Sequence, residues 1–224
     1  MDDAGDRYFA YGSNMDPGQM KHRGLRVLAV TGAVLDGYRL EFDFPARSRW
    51  LGGAADVVGS EGDRVEGALY TLATHVSAMD PWEGGYRRVP VEVRVMATGE
   101  TVLAWTYVVV ERGPAMTPSE VYVEQMIVGA RELGLSPGYL GMLEDLMERA
   151  RAELGDHVAI VRTLVRAPKP LALEELAATV DLPVDRVEEV IGDLSRWGWV
   201  QANNEPPVFR MTGGKEERSP WVLR

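Results

Sequence analysis

The sequence predicts an α+β protein in two parts, and three observations predict it. Runs of alternating apolar and polar residues, clearest over 86–96 and 100–111, have the two-residue period of strands, and strand-like segments occupy much of the chain up to that point. From Thr117 onward the apolar positions change to helical spacing: Val121, Met126, Ile127 and Leu133 in one segment, then Tyr139, Leu140, Leu143, Leu146 and Met147 in the next. At 224 residues, 46% hydrophobic and 26% charged, the chain has an ordinary globular composition and the length for one large or two modest domains.

The first strand spans 7–11, where Tyr8, Phe9 and Tyr11 suit a buried pleated surface. Gly12, Ser13 and Asn14 form a tight turn, with Gly12 chosen for its backbone freedom. Asp16 and Pro17 supply the cap and first position of a short helix that runs to about Lys21. Strands follow at 26–33 and 38–43, split by Leu35-Asp36-Gly37, and at 52–58 and 64–72, joined by Ser60-Glu61-Gly62-Asp63. Glycine after an acidic residue between apolar runs is a hairpin signal. Residues 44–51 read as irregular, and the wall of any pocket that sets specificity is expected there.

Thr74 caps a short helix over 75–82 that ends at Glu83, before Gly84-Gly85. The runs 86–96 and 100–111 make a long hairpin. Thr117-Pro118-Ser119 opens one helix, and Ser136-Pro137 a second over about 138–154. Val158, Ile160, Val161, Leu164 and Val165 then mark a helix ended by Pro168. Leu173–Val180 is another, and Pro183 with Asp185 opens the last. A strand from Val200 pairs with 207–211. The division is expected near Gly155-Asp156, giving domains over 1–155 and 156–224.

The composition excludes several chemistries. There is no cysteine, which removes disulfides, thiol nucleophiles and zinc–thiolate sites together. His22, His75 and His157 lie far apart without ligand spacing, so a metal site is not expected. A net charge of −10 argues against nucleic acid and anionic membrane surfaces as partners. The acidic N-terminus is the reverse of a secretory signal, and no apolar run approaches the ~18 residues of a membrane span. A cytoplasmic location is the expectation.

Read locally, Tyr8-Phe9-Ala10-Tyr11-Gly12-Ser13-Asn14-Met15 is either a buried strand ending in an ordinary turn, or a strand, turn and helix start that together make a small nest for an anion or carbonyl. A second stretch lies downstream, Asp80-Pro81-Trp82-Glu83-Gly84-Gly85-Tyr86-Arg87-Arg88-Val89-Pro90-Val91-Glu92-Val93. The first stretch resembles the Tyr-Gly-Ser-Asn signature of the γ-glutamylcyclotransferase-like family (AIG2-like, butirosin-type). The second resembles that family's glutamate, glycine and Tyr-x-Arg-x-x-Val-x-Val sequence. The two occur in the family's order, and the resemblance runs from about Tyr8 to about Leu146. It implies a compact mixed β-barrel with surrounding helices.

The resemblance also implies a reaction: the α-amine of a γ-glutamyl group attacks its own γ-carbonyl, 5-oxoproline forms, and an amine or amino acid leaves without any cofactor. Glu83 matches the family's proton shuttle, with Trp82 and Tyr86 lowering the polarity around it. The backbone of Gly12, Ser13 and Asn14 is then the substrate and oxyanion site, and Tyr11 packs against it or lends its hydroxyl. Tyr86 matches the family's tyrosine after the glutamate and reads equally as a core aromatic. Tyr122, in Pro118-Ser119-Glu120-Val121-Tyr122, either closes the pocket or packs its helix. Arg87 and Arg88 read as solvated partners of Glu66 or Glu92, or as attractors of an α-carboxylate. Only Gly84 and Gly85 separate Glu83 from Tyr86, shorter than in the animal glutathione-pathway members, which leaves the leaving group open.

Three helices followed by a β-ribbon over 156–224 resemble a winged helix. Its charges speak against DNA: residues 151–224 hold 10 Lys and Arg against 12 Asp and Glu, a net of −2. The recognition-helix position carries Asp185, Glu188, Glu189 and Asp193 against Arg186 and Arg196. A second copy of the chain or another protein is the partner such a module would take. The rival reading of the whole is a sensor, in which the barrel binds a γ-glutamyl or amino-acid ligand without turnover and signals through the helical module, to protein or DNA. A third makes the chain an assembly module with a vestigial pocket.

Overall fold

The computed structural model describes residues 5–46, 50–203 and 207–212. Strand β1, Asp6–Ala10, runs into a single 3₁₀ turn at Ser13–Met15 and the short helix α1, Pro17–His22. Two long strands follow, β2 at Val27–Pro45 and β3 at Gly53–Leu72, then a 3₁₀ helix at Val76–Trp82. Strands β4, Tyr86–Val95, and β5, Thr101–Val109, form the expected hairpin. The five strands close into a barrel in the order β1-β3-β2-β4-β5, sealed by a parallel contact of Tyr8 with Trp105. The core packed on the two faces of its wall includes Phe9, Leu35, Val65, Tyr70, Leu72 and Val93.

The four strands expected between 26 and 72 are two. The register of β2 on β3 passes from Asp36 opposite Arg64 to Tyr38 opposite Gly59. Gly37 therefore faces the excursion Ser60–Asp63. Gly37 and Gly62 both take left-handed backbone, at φ 78° and 84°. The two turn signals fall opposite one another, so each bends a strand instead of reversing it. Of the segment expected to be irregular, 44–45 belong to β2, and Arg47, Ser48 and Arg49 lie outside the described residues. The expected specificity wall thus lies partly outside them.

The helix before Glu83 is 3₁₀ with Pro81 inside it, because proline supplies no N–H to an α-helical ladder. Its cap is His75, not Thr74: the ring Nδ1 accepts from the Ser77 amide at 3.2 Å. Helix α2, Glu120–Glu132, is capped by Ser119 as expected. Helix α3 runs unbroken from Pro137 to Arg166, joining the two helices expected on either side of 155 and containing the expected domain division. A Cβ at Gly155 would meet no neighbouring atom within 4 Å beyond its own helix, and the glycine is carried inside α3. Buried Glu66 anchors the start of α3, accepting from the Ser136 amide at 2.7 Å and hydroxyl at 2.6 Å.

Beyond α3 stand α4, Leu173–Val180, and α5, Val184–Arg196. A small sheet completes the chain, with β6 (Leu171–Ala172), β7 (Val200–Asn203) and β8 (Val208–Met211) in the order β6-β8-β7. Leu164, Leu176, Val187, Val190, Ile191, Leu194, Trp199 and Phe209 are buried among these elements. No helix among the described residues is long and apolar enough to cross a membrane.

Asp43 and Asp56 are both buried, and Arg112 bridges them at 3.7 and 2.9 Å. Burial, reinforced by the Asp56 charge, holds Asp43 above its ordinary value of 3.8. Between that value and the raised one the folded chain binds more protons than the unfolded chain, so stability falls as pH rises through the window. Asp43→Asn removes the charge that burial disfavours. It is expected to raise Tm at pH 7, with the gain shrinking as pH falls toward the ordinary carboxylate range. Thermal unfolding across pH checks this, and a difference that does not vary with pH would contradict it.

Candidate active site

The site forms where β1 ends. Ser13 and Asn14 are buried in the 3₁₀ turn, closed by the Met15 amide on the Gly12 carbonyl at 2.9 Å. Tyr70 fixes the turn from the barrel wall, donating to the carbonyls of Asn14 and Met15 at 2.9 and 3.1 Å. Helix α2 presses on it from the other side, with Gly129 so close to Met15 that a Cβ there would lie 2.4 Å from the Met15 carbonyl carbon and oxygen. The N-terminus of α1 faces its own cap, because the Asp16 carboxylate takes the Gly18 amide at 2.7 Å. The helix start therefore does not open toward a ligand as a nest would.

Gly12 is required for space. Its φ of −111° is open to other residues, but a Cβ would lie 2.5 Å from the Tyr122 hydroxyl. That hydroxyl accepts from the Ala55 amide at 3.1 Å and, at a long 3.4 Å, from the Ser13 amide. Tyr122 stands edge-on to Trp50 and Phe42. It thus ties the turn to β3 and packs its helix against the barrel. Tyr122→Phe leaves the buried Ala55 N–H without its acceptor and is expected to cost about 1–3 kcal/mol. Denaturant unfolding checks this, and an unchanged midpoint would contradict it.

Tyr86 opens β4 and donates to the Ala55 carbonyl at 2.9 Å, its ring against Phe44. Gly85, at φ 87°, leaves room for that Phe44 ring, which a Cβ would meet at 2.4 Å. Tyr11 is buried and its hydroxyl donates to the Tyr107 carbonyl, so it packs instead of pointing its hydroxyl at Glu83. Burial pushes the hydroxyls of Tyr8, Tyr11, Tyr86 and Tyr122 up from their ordinary value, which keeps all four protonated.

Glu83 caps the 3₁₀ helix and turns back toward the Gly12–Met15 loop. Its Oε1 accepts from Asn14 Nδ2 at 2.9 Å and from Arg23 Nη1 at 2.6 Å. Oε2 has no hydrogen-bond partner among the described residues. The Glu83 side chain is 12% exposed, so it is neither sealed in the core nor freely solvated. Asn14 is itself oriented: Gln19 Nε2 donates to its Oδ1 at 2.8 Å, and its Nδ2 also donates to the Tyr8 hydroxyl at 2.8 Å. Gln19 donates to Ser13 Oγ as well, at 2.8 Å. The structure thus brings Asn14 and Glu83 together directly, and Ser13, Gly12 and Tyr122 into one cluster.

Sequence reasoning missed Gln19, Arg23 and the Tyr8 hydroxyl. Arg23 follows a short helix and precedes Gly24, where an arginine at a helix end carries no special signal. Arg88 pairs with Asp80 through two contacts at 2.9 and 3.1 Å and lies over Trp105, not against Glu66 or Glu92. Arg87 is exposed on β4.

Comparisons with known proteins converge on one family. The model of the AIG2-like family matches residues 64–143, a span holding Glu83, Tyr86 and Tyr122. The chain is 30% identical to the gamma-glutamylcyclotransferase of Bos taurus over 146 residues, covering 62% of this chain and 77% of that one. It is also 30% identical to the gamma-glutamylcyclotransferase of Mus musculus over 139 residues, 59% of this chain and 73% of that one. A solved gamma-glutamyl cyclotransferase superposes with a TM-score of 0.56 at 27% identity, over 62% of this chain and 86% of that one.

Proposed function

The chain belongs to the γ-glutamylcyclotransferase family, and from that premise we propose that it releases 5-oxoproline from a γ-glutamyl amine or amino acid, with Glu83 carrying the proton. The observation that supports this most is the anchoring of Glu83 Oε1 by the Asn14 amide of the Tyr-Gly-Ser-Asn loop, with Oε2 left uncommitted. A proton carrier needs one fixed position and one free oxygen.

In this reading the substrate's α-ammonium gives a proton to Glu83 Oε2. The freed amine attacks the γ-carbonyl carbon, a C–N bond forms, and a five-membered tetrahedral intermediate results. Glu83 gives that proton to the leaving nitrogen and takes the second proton from the cationic ring nitrogen. The oxyanion re-forms the carbonyl, the old C–N bond breaks, and 5-oxoproline and the amine depart, the second proton passing to the freed amine. Amides of the Gly12–Asn14 loop are the proposed donors to the developing oxyanion. Holding the flexible γ-glutamyl chain in its cyclising conformation contributes several kcal/mol. Tyr86 and Tyr122 line the proposed pocket as neutral hydroxyls, and Tyr11 supports it by packing.

Running the reaction in ¹⁸O-labelled water tests the reaction class. Cyclisation yields unlabelled 5-oxoproline and free amine in equal amounts. Labelled glutamate would mean that water, not the α-amine, attacks the carbonyl.

We read the C-terminal elements as a winged helix that binds protein and not DNA. The cations of α5 are already spent: Arg186 pairs with Asp156 and Glu189 at 2.7 Å each, and Arg196 with Asp193. A helix whose arginines are neutralised by its own carboxylates has little to offer phosphates. The sensor reading draws on α3, which runs unbroken from the barrel into this module. Binding without product is what separates it from the enzyme.

A further inference from the structure

We propose that Arg23 is a positioning residue for Glu83, which rests on the reading of Glu83 as the proton carrier. Arg23 caps the C-terminus of α1, and its Nη1 lies 2.6 Å from the carboxylate oxygen that Asn14 also holds. The guanidinium stands over the ring of Trp82, the residue before Glu83, at 5.7 Å. One short helix therefore reaches Glu83 twice. Its C-terminal end touches the carboxylate through Arg23, and Gln19 within it fixes the Asn14 amide that donates to the same oxygen. Two donors on Oε1 stop the carboxylate turning about its last torsion and leave Oε2 as the oxygen that meets the substrate.

Burial sets this role apart from direct binding of substrate. The Arg23 side chain is only 5% exposed, too covered to receive the carboxylate of an incoming substrate, so it acts through Glu83.

Steady-state kinetics of wild type, Arg23→Gln and Arg23→Lys with one γ-glutamyl substrate test this. Arg23→Gln is expected to lower kcat by about tenfold or more with KM within about twofold, as a misplaced catalytic group does. Arg23→Lys, which keeps the cation, is expected to recover part of kcat. A raised KM with kcat retained would make Arg23 a substrate-binding group and overturn the proposal. So would equal kcat in wild type and Arg23→Gln, or a lysine variant no better than the glutamine one. Failure of wild type to release 5-oxoproline is read before any variant is compared, and it removes the proton-carrier reading together with this one.

Discussion

Glu83→Gln is expected to lower the rate of 5-oxoproline release by about 10²–10⁴, or roughly 3–5 kcal/mol of barrier. Glutamine matches glutamate in size, and its amide oxygen can still accept from Asn14 and Arg23, the two groups that hold Oε1 at 2.9 and 2.6 Å. The fold and the binding of substrate should therefore survive, while the oxygen that takes and returns a proton is replaced by an N–H₂ group. The expected signature is a collapse of kcat at nearly unchanged Tm. A variant that keeps more than about a tenth of the wild-type rate would mean that another group moves the proton.

Gly129→Ala is expected to destabilise the protein by about 1–3 kcal/mol, against the sign that helix propensity gives. Gly129 lies inside α2, where alanine would ordinarily be favoured by roughly 1 kcal/mol. Here the new methyl would fall 2.4 Å from the carbonyl carbon and oxygen of Met15 and 2.7 Å from its Cβ. Backbone cannot step aside as a flexible side chain can, so α2 or the Ser13–Met15 turn must move. For a chain of this size the expected fall in Tm is about 2–4 °C per kcal/mol. Activity should fall with it, because the displaced turn carries Asn14 and, through it, the orientation of Glu83. A rise in Tm would show that α2 and the turn are not in close contact.

Local signals carried much of the fold. The β1–turn–α1 start, the β4–β5 hairpin, the helix starts at Ser119 and Ser136, the span of α4 and the opening of α5 all follow from period and capping chemistry. What they missed has a common cause. Gly37 and Gly62 each carry a turn signal, and only the pairing of β2 with β3 decides that the two bends face one another. Gly155 reads as a break between two helices, yet buried positions on both sides of it, Leu154 and Val158 among them, belong to one continuous α3. In the site, Asn14 and Glu83 were legible because each stands in a motif. Arg23 and Gln19 were not, since their roles arise only when the chain brings residues 23 and 83 together. Sequence reasoning placed Gly12 in the turn for its backbone freedom, but its neighbour Tyr122, not its backbone angles, is what requires a glycine there.

The most direct test is product formation by folded wild-type protein offered a panel of γ-glutamyl amines and γ-glutamyl amino acids, with 5-oxoproline and the freed amine measured together. The expected result is equimolar release of both from at least one member of the panel. Saturable binding of a γ-glutamyl compound with neither product appearing would contradict catalysis and leave the barrel as a ligand sensor.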